Sequence, residues 1–211
     1  MKKKNRFLAN KTFVVFSILA VCIILTAVFA PVVTRGVDPL KGSLVDALLP
    51  PCKEHIFGTD KMGRDIFSRV IYGARASLSA TFGVVALIFL VGTVTGVLAG
   101  YFGGVIDAVI MRIADIFMSF PSIVLILVLV AVLGPSVTCV IGVLGWTQFA
   151  RLIYANVLSV SEKEYVESAR AIGTSNFKIV TKYVLPNSFA PILIAITFQM
   201  ASAILSESSL S

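Results

Sequence analysis

Charge is scarce in this chain: 14% of its 211 residues are Asp, Glu, Lys or Arg, against 57% hydrophobic. The mean hydropathy is +0.96. A soluble domain carries about 25% charged residues, so these values exclude one and point to an integral membrane protein of the all-α class. Histidine is nearly absent, His55 standing alone. That leaves no credible Ser/His/Asp arrangement and no His-Glu-x-x-His zinc motif, so no catalytic residue is assigned. A Gly-x-x-x-x-Gly-Lys-Ser/Thr loop is missing too, so nucleotide phosphates are not cradled by that mechanism. The three cysteines suggest no disulfide framework, because Cys22 and Cys139 lie in apolar runs and Cys52 in a polar loop. Cys52 with His55 is too small a ligand set for a metal site, and no cofactor is expected. Acidic tails and low-complexity runs are also absent. The net charge of +7 therefore reads as cytoplasmic loops facing anionic lipid headgroups, not as a nucleic-acid surface.

What is present is a series of apolar runs separated by short polar segments. Lys2, Lys3, Lys4, Arg6 and Lys11 precede an apolar run from Phe13 to Val33, about twenty residues and enough to cross the hydrocarbon core. A cleaved signal peptide is the competing reading, with Thr26 to Ala30 as its cleavage region. The run is long for a signal's apolar section and reads as a retained anchor with a cytoplasmic amino end. Arg35 to Arg75 then lies outside the cytoplasm, although its seven basic and five acidic residues strain the positive-inside rule. Within it, Thr59 or Asp60 is expected to cap an amphipathic surface helix. Pairs four apart (Asp60 with Arg64, Lys61 with Asp65, Asp65 with Arg69) and the stripe Met62, Ile66, Phe67, Val70 and Ile71 support that expectation.

A second span is expected over Ser77 to Tyr101, with Gly92, Gly96 and Gly100 on one face where another helix can approach closely. Phe102 to Asp107 reads as a cytoplasmic turn and Val109 to Leu133 as a third span kinked by Pro121. Arg112 and Asp115, three apart at its start, can pair on one face, which explains them at least as well as an ion pathway does. Gly134-Pro135-Ser136 is a turn outside. Val137 to about Phe149 begins a fourth span, closed on the cytoplasmic side by Arg151. Phe189 to Leu205 is a fifth, with Pro191 in its first turn.

The long polar segment of the second half is Glu164 to Pro186, EYVESARAIGTSNFKIVTKYVLP. Glu164, Glu167 and Ala171 favour helix, and Gly173 sits where a left-handed cap would end it. Thr174 or Ser175 can cap a second run with Phe177, Ile179, Val180 and Val184 on one side, which Pro186 is expected to stop. Lys163, Arg170, Lys178 and Lys182 place the segment in the cytoplasm. Ser168, Ala169 and Ala171 leave one face of the first helix able to lie close against a partner.

The pattern Glu167-Ser168-Ala169, Gly173, then Tyr183-Val184-Leu185-Pro186 resembles the EAA loop of ATP-binding-cassette importer permeases, with Ser168 for Ala and Tyr183 for Ile as departures. His55-x-x-Gly58-Thr59-Asp60-x-x-Gly63-Arg64-Asp65, followed by Tyr72-Gly73-Ala74-Arg75-x-Ser77-Leu78, resembles one branch: the second permease subunit of dipeptide, oligopeptide and nickel importers. The resemblance implies the type I importer permease fold, with about five of six expected spans present and the chain truncated at its carboxyl end. It implies a region of residues 1–76, carrying the first span and outer loop, and a permease domain over residues 77–211. Glu164, Glu167, Ser168, Ala169, Gly173, Leu185 and Pro186 become residues that couple to an ATPase. The implied partners are a homologous permease subunit, two ATP-binding subunits, an extracytoplasmic solute-binding protein and membrane lipid, in a multi-pass inner or plasma membrane setting. A gradient-driven secondary transporter or channel is the alternative; its pointer would be paired ionisable residues near the bilayer midplane, approached only by Arg112 and Asp115.

Overall fold

Asn10 opens the described chain by accepting the Phe13 amide at 3.3 Å as a helix cap. The computed structural model describes residues 10–133 and 137–210, so Lys2, Lys3, Lys4 and Arg6 of the amino-terminal basic cluster and the expected Gly134-Pro135-Ser136 turn lie outside the described residues. Two units are distinguished, residues 1–79 and 80–211.

In the first unit, the apolar run expected as one span is two pieces, α1 (Lys11–Val28) and a single turn, α2 (Ala30–Val33). They part at Phe29, two residues before Pro31, which has no N–H to continue the ladder of α1. The surface of α1 is almost entirely uncovered within the chain. That is consistent with a helix whose solvent is lipid.

The loop that follows differs from expectation. Residues 60–65 are not helical: they fold back as a turn pinned by isolated antiparallel bridges from Gly42 to Arg64 and from Thr59 to Asp65. The cause is local. Gly63 has φ +69°, and a Cβ there would sit 1.8 Å from the Ser43 carbonyl oxygen. Meanwhile the Asp60 carboxylate accepts the amides of Met62 and Arg64 at 2.8 and 3.0 Å. A short acidic side chain that satisfies nearby amides offers the backbone an alternative to helix. Helix α3 (Ile66–Phe102) starts only after Asp65, whose carboxylate accepts the Ser68 amide at 2.7 Å. Of the three expected pairs four apart, Asp60 with Arg64 forms at 2.9 Å, and Asp60 also takes Arg69 at 2.7 Å. Asp65 instead turns to His55, 3.0 Å away.

The surface helix and second span are thus one 37-residue helix, about 55 Å long. Its second half belongs to the second unit. There Gly92, Gly96 and Gly100 meet helix α6 (Val137–Ser161), as their spacing of four predicts: a Cβ at Gly96 would fall 2.6 Å from the Ala150 oxygen, and one at Gly100 2.9 Å from the Tyr154 oxygen. The turn expected over Phe102 to Asp107 is Gly103 alone, at φ +63°, and Asp107 already lies in α4 (Gly104–Met118). The expected third span is broken. α4 and α5 (Ser122–Leu133) meet at 85° across Ser119, Phe120 and Pro121, a far larger bend than a proline kink within one helix.

Helix α6 (Val137–Ser161) runs ten residues past Arg151. After it come α7 (Glu164–Ala171), α8 (Asn176–Ile179), a wide π turn (Val180–Val184) and α9 (Leu185–Leu210). The chain belongs to the all-α class: among the described residues no strand forms, and three helices are long and apolar enough to cross a membrane, four if the bent pair counts as one span. About five were expected. The expected fourth span falls in α6, 25 residues long, which carries Gln148, Arg151 and Asn156. Ile88, Ile153, Val157, Val166, Ile179 and Val184 are the large side chains fully buried in the second unit, so the polar segment is seated on the same core as the long helices.

Candidate functional site

Lys163, extended at φ −75° and ψ 142°, starts α7. Glu164 and Glu167 occupy its first turn, where carboxylates favour the positive end of the helix. Val166 and Ala169, three apart, are 0% and 4% exposed and form its inner stripe. Ser168 and Ala171 point outward with Glu164 and Glu167. Ser168, Ala169 and Ala171 therefore do not share one open face: successive helix positions are about 100° apart, and Ala169 is used up inside the chain.

The glycine corner is as expected. Gly173 has φ +77°, its amide bonds the Arg170 carbonyl at 3.0 Å, and the Thr174 amide reaches the Ala169 carbonyl at 3.1 Å. These two bonds are the Schellman closure. Nothing lies within 4 Å of a Cβ at Gly173, so the glycine is needed for its backbone angle and not for space.

Beyond the corner the structure departs from expectation at two residues. Phe177 is 79% exposed while Ile179 is 0% exposed, so the two do not share a side. Pro186 does not stop the second run either: α8, the π turn and α9 form one continuous helical rod. A proline removes the bond to the carbonyl four residues back and crowds it. Here the preceding turn is widened, the Leu185 amide bonding Val180 five residues back, and the Asn187 side chain donates to the Tyr183 carbonyl at 2.6 Å. Leu185 is half-buried and Pro186 exposed.

Two side chains that sequence reasoning missed hold the corner to α3. The Tyr101 hydroxyl donates to Asn176 Oδ1 at 2.9 Å. Its ring lies 5.0 Å beneath the Arg170 guanidinium. No motif marks Tyr101; its one signal is its place beside Gly100 at the helix end.

Two further polar ties of the second unit run between helices. Asp115 takes Arg151, not Arg112, and Tyr154 donates to Asp107 at 3.1 Å; both ties join α4 to α6. Arg112 lines the same recess with Asp107, Asp115, Arg151 and Tyr154. In the first unit, Cys52 Sγ accepts the His55 amide at 3.3 Å and the His55 ring meets Asp65. Among the described residues no three ligating side chains come together as a metal site would require.

A family described as binding-protein-dependent transport system inner membrane components matches residues 92–211, the stretch that contains this corner. A dipeptide transport system permease protein of Alkalihalophilus pseudofirmus is 41% identical over 204 residues, covering 95% of this chain and 67% of that protein. An oligopeptide transport system permease protein of Bacillus subtilis is 37% identical over 209 residues, 98% of this chain and 68% of its own length. A dipeptide permease protein of Haemophilus influenzae is 33% identical over 213 residues, 97% and 72%.

Proposed function

This chain belongs to the family of binding-protein-dependent transport system inner membrane components, and we propose that it forms half of the membrane pathway of an ATP-binding-cassette importer for dipeptides or oligopeptides. It pairs with a homologous permease subunit, two ATP-binding subunits and an extracytoplasmic solute-binding protein. The peptide reading rests on the relatives, which are permease proteins of dipeptide and oligopeptide transport systems.

The observation that carries the reading is the corner itself. A two-turn helix presents Glu164, Glu167, Ser168 and Ala171 outward and is closed by left-handed Gly173; the run that follows, from Asn176, continues through Leu185 and Pro186 into the last long helix. A short helix with an acidic outer face, stiffly joined to long helices on both sides, can convert a push from a partner into rigid-body movement of those helices. The positive charge of Lys163, Arg170, Lys178 and Lys182 supports a cytoplasmic setting for this side, the same as that read for the amino terminus. Ala169 acts from inside, seating the helix, while Glu164, Glu167 and Ser168 meet the ATPase; Leu185 and Pro186 set where the last helix leaves the corner.

The test is co-purification. The chain is expressed with its neighbouring subunits, with and without Gly173→Asp, and the recovered ATPase is measured. Loss of the ATPase in the variant, with membrane insertion intact, is expected. Recovery of no ATPase by the unmutated chain would sink the reading.

A further inference from the structure

Helices α6 and α9 are joined to the corner by the chain itself, so they follow it whatever the side chains do. Helix α3 has no such connection. What links it to the corner is Tyr101, in its last turn and 8% exposed. The residue reaches across Gly173 to both flanks: the ring meets Arg170, three residues before the glycine, and the hydroxyl meets Asn176, three residues after it.

The base of this contact is firmly set. A Cβ at the preceding Gly100 would come within 2.9 Å of the Tyr154 oxygen and 3.0 Å of Val157 Cβ, so α3 is pressed against α6 there. Phe102 packs edge-on to the Tyr101 ring with centroids 5.1 Å apart. A side chain held at its root and gripped at its tip on both sides of Gly173 moves with the corner as a whole.

We propose that Tyr101 is the positioning residue that carries movement of the Glu164–Gly173 corner into α3, through its hydroxyl bond to Asn176 and its ring beneath Arg170. The proposal rests on the reading of the corner as the ATPase-coupling segment. It adds a third helix to the two that the chain connects, so that α3 moves with α6 and α9 as one body when the corner is pushed.

The test uses the full chain assembled with its partner permease, ATPase and binding protein in lipid vesicles, with alanyl-alanine as the transported probe. Tyr101→Phe keeps the ring and removes only the hydroxyl, Asn176→Ala removes the acceptor, and the third variant carries both. ATPase co-purification is measured first, then dipeptide taken up per ATP hydrolysed. The expected result is unchanged co-purification in all three, with uptake per ATP reduced roughly fivefold in each single variant, the scale of one net hydrogen bond. The double variant falls no further, because both changes break the same bond. Wild-type uptake per ATP in Tyr101→Phe overturns the proposal while leaving the corner reading intact. So does a double variant whose loss is the product of the two single losses. Failure of the unmutated chain to recover an ATPase overturns the corner reading, and the proposal with it.

Discussion

Ile179 and Val184, five residues apart, are both 0% exposed on the same side of a continuous helical rod. In a regular α-helix that spacing would rotate the second residue about 140° from the first. The π turn over Val180–Val184 removes the offset, and Ser188, Ile192 and Ala195 continue the buried stripe at spacings of four, four and three. One wide turn thus accommodates Pro186 and keeps the register of the inward face.

Ile179→Ala is expected to destabilise the protein by about 2–5 kcal/mol through the cavity it leaves. Phe177→Ala, two residues away and 79% exposed, should change stability by about 0.5 kcal/mol or less. Thermal unfolding in detergent distinguishes them, and equal effects would place both residues on one face.

Gly96→Leu is expected to force α3 from α6, because even a Cβ at Gly96 would sit 2.6 Å from the Ala150 oxygen and 2.7 Å from Ile153 Cβ. The cost of overpacking is about 1–3 kcal/mol. Gly83→Ala meets nothing within 4 Å and should be neutral or slightly stabilising, since alanine is the better helix former. Melting temperatures of the two variants against the parent provide the check.

Asp115→Arg should lower stability by placing like charges together, and Arg151→Asp should do the same. The exchanged pair should recover most of the loss. Both partners are about half exposed, so the coupling energy is expected to be about 1 kcal/mol or less, as for other solvent-reached pairs. A double-mutant cycle in thermal unfolding measures it, and additive losses would mean that the pair contributes nothing.

The loop of the first unit should respond to acid at low pH only. Hydrogen bonding by the Arg64 amide, outweighing partial burial, and further bonds from Met62 and the Arg64 side chain lower the Asp60 pKa from 3.8 to about 2. Burial raises the Asp65 pKa, but the bonds of Ser68 and the His55 ring more than offset that, and the net shift is downward. A depressed carboxylate contributes stability that is complete above its unfolded value and lost as pH falls through its folded value. Exchange protection of the Met62 and Arg64 amides, corrected for intrinsic rate, should therefore hold from neutral pH to near 4 and decline toward 2. Asp60→Asn should abolish that decline.

Much of the corner was legible in residue type and spacing. Glycine at position 173 predicts a left-handed cap because few other residues adopt that angle cheaply, and the cap is there. The spacing of Gly92, Gly96 and Gly100 predicts a helix contact because only one face of α3 carries all three, and α6 fills it. Such features depend on the chain within one or two turns, so sequence by itself determined them, together with the apolar runs and the helical class.

Tertiary structure decided the rest. Phe177 and Ile179 look alike as apolar residues, but only the position of the core selects which one is buried. Pro186 is a helix breaker in isolation; the packing that requires Ile179 and Val184 to face inward together turned it into a widened turn. Asp60 and Asp65 have helix-like spacing to their basic neighbours, yet Gly42 and Ser43, some twenty residues earlier in the chain, hold that segment in a turn. Tyr101 acquires its two partners from residues 69 and 75 positions away. Contacts at such distances exist only once the helices have packed, and no local pattern encodes them.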